Sequence, residues 1–297
     1  MLRSNLIGTL VAATSLGAGI AHAAEPTWVD LEPPTITLVA PGELPHRPLR
    51  YDLPAGLEQS IKRVQAYEFT AKMAIGGGRE DEGQLTMSIG TRSVPPTGDA
   101  PIEIVAVLAK IGGPQGSGEG VRGSGKVRFD ARGRAVQARW DEPAEGATVD
   151  AVLLERFQAR MGEIATPLPE EPIGVGGRWE ISQSIELGGG RFVIIADCTL
   201  VADTPSGLDI ECRFRHQAQG AMFTIGEGDR AKDVELKKSS VDGQALILQA
   251  LDMLAPLRED GDMRTYFEVK TRVGPFPVKM KVDTAERWNQ VGAELIE

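Results

Sequence analysis

Apolar and polar side chains alternate one for one over residues 192–218, the clearest pattern in the chain. In residues 192–202 the even positions are Phe192, Ile194, Ala196, Cys198, Leu200 and Ala202, with Asp197 and Thr199 between them. In residues 208–218 the even positions are Leu208, Ile210, Cys212, Phe214, His216 and Ala218. The odd ones, Asp209, Glu211, Arg213, Arg215 and Gln217, are all polar. Period two over this length predicts two strands, each with a dry and a wet face. The intervening Asp203-Thr204-Pro205-Ser206-Gly207 is turn chemistry, because proline pre-sets φ and glycine accepts a left-handed conformation. The pair is read as a β-hairpin.

Both cysteines point to the dry face, so their fate is a question of register. If Asp203 opposes Gly207, Cys198 lies opposite Cys212, within disulfide reach. If Thr204 opposes Leu208, Cys198 faces Phe214 and the cysteines become diagonal neighbours, roughly 7–8 Å apart. A Cys198–Cys212 disulfide and two buried thiols are both consistent with the pattern.

Similar alternation predicts further strands. Tyr67, Phe69, Ala71, Met73 and Ile75 lead to a Gly-rich loop and a return through Leu85, Met87 and Ile89. Residues 102–111 are almost wholly apolar, as in a strand buried on both faces. Val127 and Phe129, then Val136, Ala138 and Trp140, flank the turn Asp130-Ala131-Arg132-Gly133. Trp179, Ile181 and Ile185 precede the central hairpin. After it come 234–241, the apolar run 244–254, read as strand rather than short helix beyond a turn at Asp242-Gly243, then 263–273 and 278–282. Two segments read as helix. Residues 56–63 suggest a short one. Val149, Val152, Leu153, Phe157, Met161 and Ile164 recur at helical spacing between a Thr148 cap and Pro167. This predicts an amphipathic helix over 148–164, packed on the sheet. The fold expected is mainly β: an antiparallel meander forming one large curved sheet or half-barrel, or two, with one helix against it.

The N-terminus has an early Arg3, an apolar run over 6–20 and a small-x-small Ala21-His22-Ala23, the marks of a signal peptide over 1–23. Residues 24–63 are proline-rich and read as an arm or linker. The β domain is placed at 64–288 and a frayed tail at 289–297. No later segment is apolar for long enough to form a transmembrane helix. The chain is therefore expected to be exported, periplasmic or extracellular.

The formal net charge is −10 with no basic cluster, which disfavours nucleic acid as a partner. Familiar chemistry is missing. The segment 120–127 resembles a phosphate loop as far as Lys126, but Val127 stands where magnesium needs a hydroxyl. A dinucleotide-like glycine pattern over 118–123 leads into a strand-like segment. Outside the leader there are two histidines, His46 and His216, too few for a local zinc site. A Cys198–His216 nucleophile pair would sit among apolar neighbours that raise the thiol pKa. The acidic groups 80–82 and 259–262 lack EF-hand spacing and read as solvated loops. No catalytic residue, metal ligand or cofactor is assigned, and the chain is read as a non-enzyme.

Meandering strands, a single covering helix and then more strands give the chain an outline that resembles the LolA/LppX-type half-barrels of bacterial envelopes. The turn Phe129-Asp130-Ala131-Arg132-Gly133-Arg134 is similar to turns of that group. The segment Pro172-Ile173-Gly174-Val175-Gly176-Gly177-Arg178-Trp179 is similar to one in exported β-rich bacterial proteins. The resemblance covers residues 64–288 in outline and carries over no ligand residue. It implies a lipid-like or hydrophobic ligand held in a concave sheet. The alternative is a structural or protein-interaction module with a packed interior, whose partner is another envelope protein bound through the arm.

Overall fold

The computed structural model describes residues 27–73, 78–96, 99–112, 123–141, 164–187, 190–219, 222–225, 232–273 and 276–294. Alternation becomes strand through most of them. A first meander comprises β3 (Glu58–Met73), β4 (Gly78–Val94), β5 (Ile102–Gly112), β6 (Gly123–Phe129) and β7 (Ala135–Trp140). A second comprises β8 (Arg178–Leu187), β9 (Gly190–Thr204), β10 (Gly207–Gln219), β12 (Lys232–Gln249), β13 (Arg258–Val273) and β14 (Phe276–Glu294). The short β11 (Met222–Ile225) pairs with β12. β3 pairs antiparallel with β14, from Gln59 opposite Glu294 to Met73 opposite Met280. That pairing fuses the two meanders into a single antiparallel sheet of fourteen strands, which is not closed.

The arm supplies the remaining two strands. β1 (Val29–Asp30) pairs with β7 at one end of the strand order, and β2 (Thr35–Ala40) with β8 at the other. Ten strand intervals separate β7 from β8 along the sheet, about 48 Å if it were flat. Asp30 and Thr35 are five residues apart and span at most ~18 Å. The sheet is therefore rolled until its two edges approach one another.

The core lies on the inner face of the roll. Leu49, Tyr51, Phe129, Leu168, Ile173, Trp179 and Leu254 are all buried there. The arm is hydrogen-bonded in place. Tyr51 N–H donates to Ala131 O (2.8 Å), Asp52 N–H to Leu251 O (2.9 Å), and Arg47 exchanges backbone bonds with Ile173 (3.0 and 3.1 Å). The Tyr51 hydroxyl donates to Thr166 O (2.9 Å), and burial pushes its pKa well above the usual phenol range. Gly133 has φ +78°, and a Cβ there would lie 2.5 Å from the Tyr51 ring, so the turn after Phe129 needs glycine for both reasons. Arg47 clamps the tip of the central hairpin through Asp203 (2.7 and 2.8 Å).

Several expectations are corrected. Residues 56–63 are not helical: β3 begins at Glu58. Its dry face there carries Gln59 and Arg63, both buried, and those polar residues break the apolar alternation. Asp242-Gly243 is no turn but lies within β12, opposite Arg264 and Met263. A Cβ on Gly243 would stand 2.5 Å from Asp262 O, so this glycine serves close backbone approach. The tail does not fray from residue 289: β14 continues to Glu294, with Trp288 and Gln290 buried. β5 is buried on both faces at Ile102, Glu103 and Ile104, whereas Val107 further along is exposed. Among the described residues there is no helix. The helix read over 148–164 lies outside them except for Ile164, which is buried in a bend, and the leader 1–23 lies outside them altogether.

Candidate functional site

The hairpin at the centre of the second meander resolves the cysteine register by a route the turn chemistry alone does not give. Pro205 and Ser206 form a two-residue turn, with Thr204 opposite Gly207 at φ +136°. That register would pair Cys212 one residue away from Cys198. A bulge intervenes, since Asp209 faces Ala202 but Ile210 faces Leu200. Val201, exposed and unpaired, is the extra residue. The one-residue shift brings Cys212 opposite Cys198, and the two are joined in a disulfide. Neither sulfur is available as a thiolate, so the Cys198–His216 pairing has no chemistry in this state.

The disulfide forms part of the wall of a cavity of about 300 Å³. Eight strands contribute to it, and most of its lining is apolar: Ile61, Met87, Ile89, Ile181, Ile194 and Ile247. The segment 164–167, Pro34 and Pro256 also border it. The wall formed by β3, β14 and β13 is different. It presents Arg63, Gln290, Glu259, Trp288 and Glu286. The Trp288 indole N–H donates to Glu259 Oε1 (2.7 Å), and the Arg63 guanidinium lies 5.0 Å from the Trp288 ring centre. Phe214 of β10 reaches Trp288, ring centres 6.2 Å apart. His216 is on the same dry face as Phe214, edge-on to Phe267, and burial pushes its pKa below the ordinary 6.5.

Outside the roll a second polar cluster has a structural role. Glu103 is buried on β5 and takes Lys126 (3.2 Å) and Arg128 (3.1 Å) from β6. Arg128 stacks under Trp28 of the arm, 3.8 Å from its ring centre. Lys126, the end of the phosphate-loop-like segment, is thus engaged by a carboxylate, on a strand rather than before a helix. His46 bonds the Gly42 carbonyl (3.1 Å). The acidic run 80–82 lies within β4, and Glu259 faces the cavity while Asp260 pairs outside with Arg258. No group of three or more His, Cys, Asp or Glu able to hold a metal occurs among the described residues.

Sequence reasoning placed Cys198 and Cys212 on a common dry face, and the structure brings them together. It missed Arg63, Glu259, Glu286 and Trp288. The available signal was parity: Arg63 shares the parity of Tyr67 and Phe69, and Glu259 that of Met263 and Phe267. No protein-family model matches the chain, and no curated protein matches it.

Proposed function

We propose that the chain is an exported, non-catalytic binding protein of the bacterial envelope, of half-barrel type, which holds a lipid-like or hydrophobic ligand in its curved sheet. The cavity carries this reading. Protein interiors pack densely, with few voids larger than a water molecule. An apolar-walled space of about 300 Å³, lined by isoleucines from opposite parts of the sheet, is the size at which small-ligand pockets begin. The isoleucine-lined side of this space favours apolar molecules over water.

The wet face supports a carrier that stands in water. It bears Arg213, Arg215, Arg264, Asp283 and Lys281, charges that a lipid-facing sheet accommodates only at a cost of several kcal/mol each near mid-bilayer, on the order of 2–4 for Arg or Lys. No described helix is long and apolar enough to cross a membrane. The leader-like N-terminus and the outline likeness to LolA/LppX-type proteins agree with an envelope role. The amphipathic helix read over 148–164, packed on the sheet, belongs to the same reading.

Native mass spectrometry of the protein, purified from an export host without detergent and then extracted with organic solvent, tests it. A lipid-sized adduct removed by extraction is the expected result. A bare mass with no uptake of a hydrophobic fluorescent probe overturns the reading and leaves a packed interaction module.

A further inference from the structure

One wall of the cavity selects among amphiphiles. Arg63, Gln290 and Glu259 stand in a row across β3, β14 and β13, because Gln290 is in register with both of the others. The Arg63 guanidinium lies 3.4 Å from Gln290 Oε1 and 3.9 Å from Glu259 Oε1. It also stacks on Trp288, whose indole is bonded to the same Glu259 oxygen. This row holds one cation and one carboxylate and is neutral as a unit.

Glu286 follows two residues before Trp288 on the same face of β14. Its register neighbours are Tyr67 and Met263. Its carboxylate accepts a hydrogen bond from the neutral Gln65 amide (2.8 Å) and forms no ion pair among the described residues. Among the described residues, the lining therefore sets one guanidinium against two carboxylates. A carboxylate facing an apolar space is costly unless a cation compensates it.

Resting on the reading of the cavity as a ligand site, we propose that its ligand is a single-chain amphiphile with an ammonium head group. The head sits on Glu286, and the alkyl chain lies among Ile89, Ile181, Ile194 and Ile247. An anionic head would add a third negative charge and would have to compete with Glu259 and Trp288 for Arg63. An uncharged head would leave Glu286 uncompensated.

The test compares dodecylamine, dodecanol and dodecanoate, each below its micelle concentration, as competitors of a bound naphthylamine fluorophore, with native mass spectrometry as a second readout. The amine is expected to bind about tenfold more tightly than the alcohol, with the carboxylate weakest. Glu286→Gln is expected to abolish the amine's preference over the alcohol, chiefly by weakening the amine. Equal binding of amine and alcohol, tighter binding of the carboxylate, or an amine preference that survives Glu286→Gln overturns the head-group assignment while leaving the cavity reading intact. Failure of dodecanol and the fluorophore to bind at all overturns the cavity reading itself.

Discussion

His216 makes the stability of this protein depend on pH. Its ring faces the interior against Phe267, and burial depresses its pKa below 6.5. Between the depressed value and 6.5 the unfolded chain binds more protons than the folded one, so stability rises with pH across that window. It is fully present above about 6.5 and is lost as the pH falls through the folded value. His216→Phe, which keeps the ring contact, is expected to flatten this slope. Urea midpoints at pH 7.5 and 5.5 check it, and an unchanged difference between the two would show that another group is responsible. At the same scale, the Cys198–Cys212 bridge closes a short loop, with a sequence separation of 14. The double variant Cys198→Ala/Cys212→Ala is expected to lose about 3 kcal/mol by denaturant titration. The common parity of the two cysteines was legible in the sequence. Their pairing was not, because it depends on the bulge at Val201, which shifts the register by one residue beyond the turn.

Among the elements, β12, β13 and β14 owe their close approach to glycines. Gly261 lies beneath the Trp288 ring, where a Cβ would meet the ring at 2.4 Å. Gly243 stands next to the backbone at Asp262 and Met263. Gly261→Ala is therefore expected to cost about 1–3 kcal/mol by overpacking. Calorimetry should show a lowered Tm for Gly261→Ala, and pairing it with Trp288→Leu should recover part of the loss, as expected when two sites couple by direct contact. If the double variant is merely additive, the ring is not what the new methyl meets. These strands explain where pattern reading went astray. A glycine on a dry face looks like a turn, and a buried arginine or glutamine looks like a phase change. Gly243, Arg63 and Gln59 each interrupted an alternation that the backbone continues.

For the molecule as a whole, the arm is what holds the two edges of the roll together. It pairs β1 with β7 and β2 with β8, places Leu49 and Tyr51 in the core, and stacks Trp28 on Arg128 above the buried Glu103. Removing residues 1–57 uncovers both edges, and exposed edges pair with other chains. The truncated protein is expected to run as concentration-dependent oligomers in size-exclusion chromatography with light scattering, where the full-length protein stays monomeric. A monomeric truncation of native Tm would show that the arm is dispensable.

The sequence alone determined that this chain is mainly β and antiparallel, where most of its hairpins fall, and which face of the central hairpin is dry. These follow from local rules, since side-chain period and turn chemistry act over a few residues. Only the tertiary structure decided that β3 and β14 are neighbours, more than 200 residues apart. That single pairing merges two meanders into one sheet, and the arm's bridging of its edges shows the sheet to be rolled. Those contacts also bring Arg63, Glu259, Glu286 and Trp288 to one wall of a cavity. No local pattern encodes them, because long-range strand pairing is chosen by the burial available to the whole sheet.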